Sequence, residues 1–278
     1  MFKRVIVGID GSPASVTAAR QALRIGNFYG IPVVGIYVID VRLLEESFLA
    51  DLAGVLGFTY YEGISAKVKE FLEKQGDAIL TEFSALGREF GAKVSVVQTV
   101  GVPYKEIASQ ADPEDLIVLG KAGRKPFKGV LIGSNSEKVA RHAECPVFLL
   151  PEEEREFKRA LVAYDGSENA KLALKLCSSL KPLFGYAIEV LFVEEEEGQA
   201  SQVKEEVEDL LSEEHRFVAT TGLPEERIVS YVKGENIDLL FLGAYGKGRF
   251  KELFLGSVTS FVIHHLDVPM FLTKVPKD

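Results

Sequence analysis

Thiols and imidazoles are scarce in this chain of 278 residues, which has two cysteines and four histidines. Cys145 and Cys177 are not spaced as a C-x-x-C pair, and so few ligands argue against a zinc site. Two lone thiols do not make a disulfide scaffold and fit a reducing, cytoplasmic setting. Cys145 stands before Pro146 at the start of an apolar run, where a free cysteine packs as a small hydrophobe. Long hydrophobic runs are missing too: no stretch reaches the roughly 18 apolar residues of a membrane helix. The N-terminal Met1-Phe-Lys-Arg-Val-Ile-Val passes directly into a strand-like run. It lacks the apolar region and small-residue cleavage site of a signal peptide. Neither a G-x-x-x-x-G-K-[ST] P-loop nor a G-x-G-x-x-G fingerprint after the first strand occurs.

An excess of positive charge is absent as well. The net charge is −9, and all of it lies after residue 150. Up to there 17 basic residues balance 17 acidic ones; beyond it 15 basic face 24 acidic. An acidic second half argues against a nucleic-acid surface and fits solubility. Hydrophobic residues at 47% and charged residues at 26% are ordinary for a globular protein, and the length suggests two domains.

What is present is a duplication. Val5-Ile-Val-Gly-Ile-Asp-Gly-Ser12 matches Ala160-Leu-Val-Ala-Tyr-Asp-Gly-Ser167. Val34 to Val38 matches Glu189 to Val193, Thr99 to Pro103 matches Thr220 to Pro224, and Asp115 to Gly120 matches Asp238 to Gly243. Cys145 to Leu150 matches Val268 to Thr273. Landmarks repeated in one order mark a unit built twice. The expected division is a first domain over 1–150, a charged linker over 151–156 beginning at Pro151, and a second domain over 157–278. Each copy alternates strand and helix. In the first, strands are expected near 3–9, 32–38, 93–99, 115–120 and 146–150. Helices are expected near 13–27, 65–90, 103–111 and 134–143. Near-continuous Val/Ile/Leu strands call for a parallel sheet with helices on both faces. Ser12 is placed to cap a helix with Pro13 at its first position, and Ser134 with Glu137 to form a capping box. Residues 43–63 read as an additional helix plus turn, and Glu194-Glu-Glu-Glu197 as a solvated loop.

The most telling repeat is G-x2-G-x9-G-S: Gly120, Gly123, Gly133 and Ser134 in the first copy, Gly243, Gly246, Gly256 and Ser257 in the second. In an open parallel sheet, ligands bind beyond the carboxyl ends of the strands, where strand order reverses. If the first and fourth strands are neighbours, Asp10 and the glycine loop flank one crevice. Glycines let the backbone approach closely, and a Ser-led helix N-terminus offers free N–H groups to an anion. Lys121, Arg124, Lys125 and Lys128 give the first loop its charge; Lys247, Arg249 and Lys251 against Glu252 do so for the second. Asp10 and Asp165 suit a ribose or base at the far side. They could equally serve only the turn and cap that Asp-Gly-Ser makes. Val38 and Val193 end strands beside the crevice, where covering an adenine face and core packing are both open to them. His264 and His265 read as surface or packing residues.

These residues resemble the universal stress protein family, as a tandem of two such domains over essentially the whole chain. The strand-end Asp10 and Asp165 and the two glycine motifs carry the likeness, with the wording Gly133-Ser-Asn-Ser-Glu-Lys-Val-Ala-Arg-His-Ala-Glu-Cys-Pro-Val147. The resemblance implies an α/β, Rossmann-like fold, each domain a five-stranded parallel sheet of order 3-2-1-4-5 sandwiched by helices. It implies ATP between strands one and four. Asp10 and Val38 would meet ribose and adenine, and Gly120, Gly123, Gly133 and Ser134 the loop and phosphates. Asp165, Val193, Gly243, Gly246, Gly256 and Ser257 would do the same in the second copy. Mg2+ could accompany the nucleotide, at ligands the sequence does not name. The family pairs domains through the last strand, so the halves should form a pseudo-dimer, and two chains could pair further. The expected function is an ATP-binding stress-response sensor or regulator with an unidentified protein partner. The alternatives are a slow ATPase and an interaction scaffold with vestigial sites. Hydrolysis needs a water-positioning base, and no sequence feature ties one to the phosphate end, so no catalytic residue is assigned.

Overall fold

Alternation within each strand decides how the molecule is layered. The computed structural model describes residues 2–45, 47, 49–50, 64–122, 131–194, 198–244 and 255–275. In β1 (Val5–Gly8), Val5 and Val7 face one side of the sheet and Ile6 the other. All are buried, because helices cover both faces. The first half continues through α1 (Pro13–Tyr29), β2 (Val33–Asp40), α2 (Ile64–Glu89), β3 (Val94–Gly101), α3 (Pro103–Ser109), β4 (Leu116–Gly120), α4 (Ser134–His142) and β5 (Val147–Leu150). The second repeats the order as β6 (Arg159–Tyr164), α5 (Glu168–Phe184), β7 (Ala187–Glu194), α6 (Gln199–Leu210), β8 (His215–Thr221), α7 (Pro224–Gly234), β9 (Leu239–Gly243), α8 (Ser257–His265) and β10 (Met270–Thr273).

The ten strands form one sheet in the order β3-β2-β1-β4-β5-β10-β9-β6-β7-β8. Each half therefore has the order 3-2-1-4-5, with all its pairs parallel. The halves join where β5 and β10 pair antiparallel, with Phe148 opposite Phe271. The two rings stack at 3.8 Å between centroids, and Phe241 stacks on Phe271 at 4.9 Å. This last-strand pairing is the one the resemblance implied.

One core, on the side of α1, α2, α5 and α6, runs through Val5, Val118, Phe148, Phe271 and Val162. The other, on the side of α3, α4, α7 and α8, runs through Ile6, Ile117, Leu149, Leu272 and Leu161. Both cores cross the β5–β10 seam without a break. Ser12 caps α1 by accepting the Ser15 N–H, with Pro13 in the first turn, and Ser167 caps α5 in the same way. The capping box at Ser134 does not form. Gly133 takes the cap position, Ser134 already lies inside α4, and Glu137 pairs with Arg141 one turn on. The landmark aspartates Asp115 and Asp238 stand at the amino ends of β4 and β9. Asp115 is paired with Arg4 at 2.6 Å, and Asp238 accepts the Lys158 and Arg159 N–H groups at 3.0 Å.

The additional helix expected over 43–63 falls largely outside the described residues; Val41–Leu44 form a 3-10 turn before it. Of the acidic tract, Glu194 closes β7 and accepts the Ala200 N–H in the first turn of α6; residues 195–197 lie outside the described residues. Both cysteines are buried, and burial pushes the Cys145 thiol up to about 12, as befits a structural thiol. Among the described residues, no helix is long and apolar enough to cross a membrane, and no cluster of His, Cys, Asp or Glu could hold a metal.

Candidate functional site

The crevice is set by which strands are neighbours. β1 lies between β2 and β4, so the direction of winding reverses there, which is where an open α/β sheet parts at its carboxyl edge. Gly8 stands beside Ile36 and Leu119. Two residues further along, the same register brings Asp10 level with Val38 in β2 and with Lys121 just past β4. In the second half, Tyr164 pairs with Phe192, so Asp165 comes level with Val193.

Asp10 is half-buried and one carboxylate oxygen accepts the Ser12 N–H at 2.9 Å. Asp165 repeats that turn with Ser167 at 2.9 Å but is exposed. The turn reading of Asp-Gly-Ser is thus realised in both copies. Val38 and Val193 are half-buried, and Val38 packs against the core on the α3 and α4 side.

Gly120 and Gly243 are explained by packing. A Cβ on Gly120 would lie 2.7 Å from the backbone of Ala14 and Ser15 in α1, and one on Gly243 would lie 2.8 Å from Ala170 N in α5. These glycines let the end of β4 or β9 pass beneath the helix that follows the first strand of its half. Their carbonyls are held from the other side. Ser136 Oγ donates to Gly120 O at 2.7 Å, and Thr259 Oγ1 donates to Gly243 O at 3.2 Å. The sequence reading missed this pair. The signal was the hydroxyl residue at one offset in Gly133-Ser-Asn-Ser136 and Gly256-Ser-Val-Thr259.

The loops then close differently. In the first half, Gly133 N–H donates to Lys121 O at 2.7 Å. In the second, Ala244 O, the matching acceptor, takes the Asn169 amide at 2.7 Å, and Asn169 also accepts the Val275 N–H at 2.8 Å. Gly133 has φ −76°, whereas Gly256 sits at φ 35°, a conformation that favours glycine. Ser134 and Ser257 are exposed at the starts of α4 and α8, where a helix has free N–H groups and its positive end.

Lys121 is a correction. The sequence pattern places it among the loop cations, yet it is fully buried and its Nζ donates to Leu266 O in the other half. It is spent on the seam and cannot reach an anion in the crevice. Gly123 and Gly246, with Arg124, Lys125, Lys128, Lys247, Arg249 and Lys251, lie outside the described residues. His264 and His265 are exposed on α8; His264 lies 3.6 Å from Glu137 across the seam and His265 stacks on Phe261.

Comparison with known proteins agrees with this architecture. The model of the universal stress protein family matches residues 1–151 and 182–274. The chain belongs to the universal stress protein family. The second family match begins inside α5, yet β6 and the start of α5 occupy the places of β1 and α1. The chain is 30% identical to universal stress protein MJ0531 of Methanocaldococcus jannaschii over 158 residues, covering 56% of this chain and 86% of that protein. It is 24% identical to universal stress protein Slr1230 of Synechocystis sp., covering 97% of this chain and 99% of that one. A solved universal stress protein from Archaeoglobus fulgidus superposes with a TM-score of 0.76 at 24% identity, covering 98% of each chain. That likeness extends the tandem fold to both halves at once.

Proposed function

We propose that each half of this universal stress protein binds an adenine nucleotide, ATP with or without Mg2+, and that the chain works as a nucleotide-responsive regulator. The observation that carries this reading is the crevice between β1 and β4, repeated between β6 and β9. A strand-end carboxylate, Asp10 or Asp165, lies on one wall, and a helix N-terminus opened by Gly133-Ser134 or Gly256-Ser257 on the other. An acceptor on one side and an anion-binding helix end on the other suit a ribose linked to phosphate. Asp10 spends one oxygen on the Ser12 N–H and keeps the other for a ribose hydroxyl. Val38 and Val193 would cover the base. Gly123 and Gly246, with Arg124, Lys125, Lys128, Lys247, Arg249 and Lys251, would contribute to holding the phosphates. Among the described residues none is placed as a base at the phosphate end, which favours binding over hydrolysis.

Purified protein should carry adenine nucleotide or take it up. Heat release followed by chromatography measures nucleotide per chain, and incubation reports any conversion to ADP. Empty protein with no thermal shift on adding Mg-ATP rejects the reading. Gly123→Val with Gly246→Val should abolish binding while leaving the melting temperature near that of the parent.

A further inference from the structure

We propose that β3, an open edge of the sheet, is where two copies of this chain pair about a two-fold axis, strand against strand and α2 against α2. The inference is independent of the nucleotide reading.

The ten-stranded sheet has two edges, β3 and β8, and each bonds to one neighbour. At β3, the Val33 N–H donates to Lys93 O at 2.8 Å, so Lys93 turns its carbonyl toward β2. Backbone direction alternates along a strand. Val94, Val96, Gln98 and Val100 therefore turn their N–H and C=O groups outward. Among the described residues, these groups have no backbone partner. Such a row is a template for another strand, and natural edges are guarded by charge. β8 is guarded: it opens on His215 and Arg216, directly after Glu213 and Glu214. β3 has no charged residue from Val94 to Gly101. Val96 and Val100 on it are 43% and 42% exposed.

The flank of α2 beside this edge fits its own copy. α2 lies over both β2 and β3, with Gly76 against Tyr37 and Gln98, and Gly87 against Val94. Helix and strand run in opposite directions there, and Val96 is midway along the shared stretch. Asp77, Thr81, Ser84 and Arg88 stand along one flank of α2. With Val96 and Gln98 they line a groove of about 380 Å³.

A two-fold axis through Val96, perpendicular to the sheet, pairs Val96 with its own copy and Val94 with Gln98 of the other. These are the outward-facing residues, as the bonded pairs of an antiparallel ladder require. The two strands then lie about 5 Å apart. α2 is set back from β3 by about half a strand spacing, so the two helices come about 10 Å apart, the distance of packed helices. The same axis brings Asp77 of one copy beside Arg88 of the other at both ends of the contact, with the small Thr81 and Ser84 between. Among the described residues of a single chain, neither side chain is in an ion pair. An unrelated strand could use the bare edge, but α2 turned about the axis supplies an arginine to Asp77 and an aspartate to Arg88 at once.

Sedimentation velocity of the full chain over a concentration series tests the proposal. The mass should rise from 30.6 kDa to twice that value. Arg88→Glu sets like charges together and should raise the dissociation constant at least about tenfold, as for a close charge pair at an interface. Asp77→Arg with Arg88→Asp exchanges the charges and should restore pairing. Val96→Lys should abolish it. All three positions are exposed, so each variant should keep the circular dichroism of the parent. The native cysteines are buried. Paired copies of residue 96 lie within disulfide range, so Val96→Cys should give a disulfide-linked dimer on mild oxidation. Val16→Cys, at a position 44% exposed on α1, should not. A chain that stays monomeric at every concentration overturns the proposal. A dimer that Arg88→Glu and Val96→Lys leave intact does so too, as does crosslinking of Val16→Cys as readily as of Val96→Cys.

Discussion

The Ser136 hydroxyl donates to the Gly120 carbonyl at 2.7 Å and ties the start of α4 to the end of β4. That bond fixes the first helix N-terminus relative to the crevice, and Thr259 with Gly243 does the same in the second half at 3.2 Å. Ser136→Ala should cost about 1 kcal/mol of stability, the net worth of one hydrogen bond. It should also loosen the helix end that, on the proposed reading, meets the phosphates. Calorimetry of Ser136→Ala and Thr259→Val should show weakened nucleotide binding, each in its own half. Unchanged affinity in both would show that the clamp serves only folding.

Gly120→Ala tests what that glycine is for. The new methyl would sit 2.7 Å from the α1 backbone at Ala14 and Ser15, where a helix has to move to admit it. Overpacking of this kind costs about 1–3 kcal/mol. Gly234→Ala is the matched control: it lies in α7 and an added Cβ meets nothing within 4 Å. There the gain in helix propensity should stabilise by up to about 1 kcal/mol. Urea denaturation of the two variants should give shifts of opposite sign. A loss of nucleotide binding in Gly120→Ala would then follow from a displaced loop and not from a lost phosphate contact.

The sequence was most readable where local rules and the fold agree. The strands around Val5, Val33, Val94, Leu116 and Val147 begin within two residues of where their apolar runs begin, because burial on both faces leaves no polar break until the turn. Asp10 and the Gly120 loop could be placed on one crevice because two copies set the same landmarks in the same order. Long-range choices were not legible. Ser134 with Glu137 satisfies the capping-box pattern, but Gly133 already takes the cap and the hydroxyl that turns back is Ser136. Lys121 looked like its neighbours Arg124 and Lys125 because charge along a loop does not tell which side chain faces a seam. Its partner Leu266 lies 145 residues away. Asn169 was hidden for the same reason: it replaces Ala14 of the first copy and acts on Ala244 and Val275, far along the chain.

The seam gives a second stability prediction. Phe148 and Phe271 stack at 3.8 Å with planes 8° apart, on the strands that join the halves. Truncating a buried phenylalanine costs about 3–5 kcal/mol. Each ring is the other's packing surface, so the two truncations should not add. A double-mutant cycle of Phe148→Ala and Phe271→Ala should return a coupling of about 0.5–1.5 kcal/mol. The variants should also lower the cooperativity between halves, seen as separate unfolding transitions for reporters in each. Additive losses with one shared transition would mean that the backbone pairing of β5 and β10, and not the rings, joins the halves.

Lys121 sets a pH dependence of folding. Burial holds its ammonium at about 8, against an ordinary value of 10.5, with Asp267 pulling the other way. Below pH 8 the side chain is charged in folded and unfolded chains alike, and the folded state bears the whole cost of desolvation. Between 8 and 10.5 the folded chain has released the proton while the unfolded chain still holds it. The unfolded state then binds more protons, so the free energy of unfolding rises with pH across that window. The gain amounts to roughly 3 kcal/mol at most. Other lysines and tyrosines titrate there too, so the informative quantity is the difference between the parent and Lys121→Met, in which the remaining groups cancel. Urea denaturation of both at about pH 7.5 and about pH 10 should show the parent gaining on the variant as pH rises. A difference that stays constant would mean that the Lys121 ammonium is solvated in the folded chain, which is incompatible with its place in the seam.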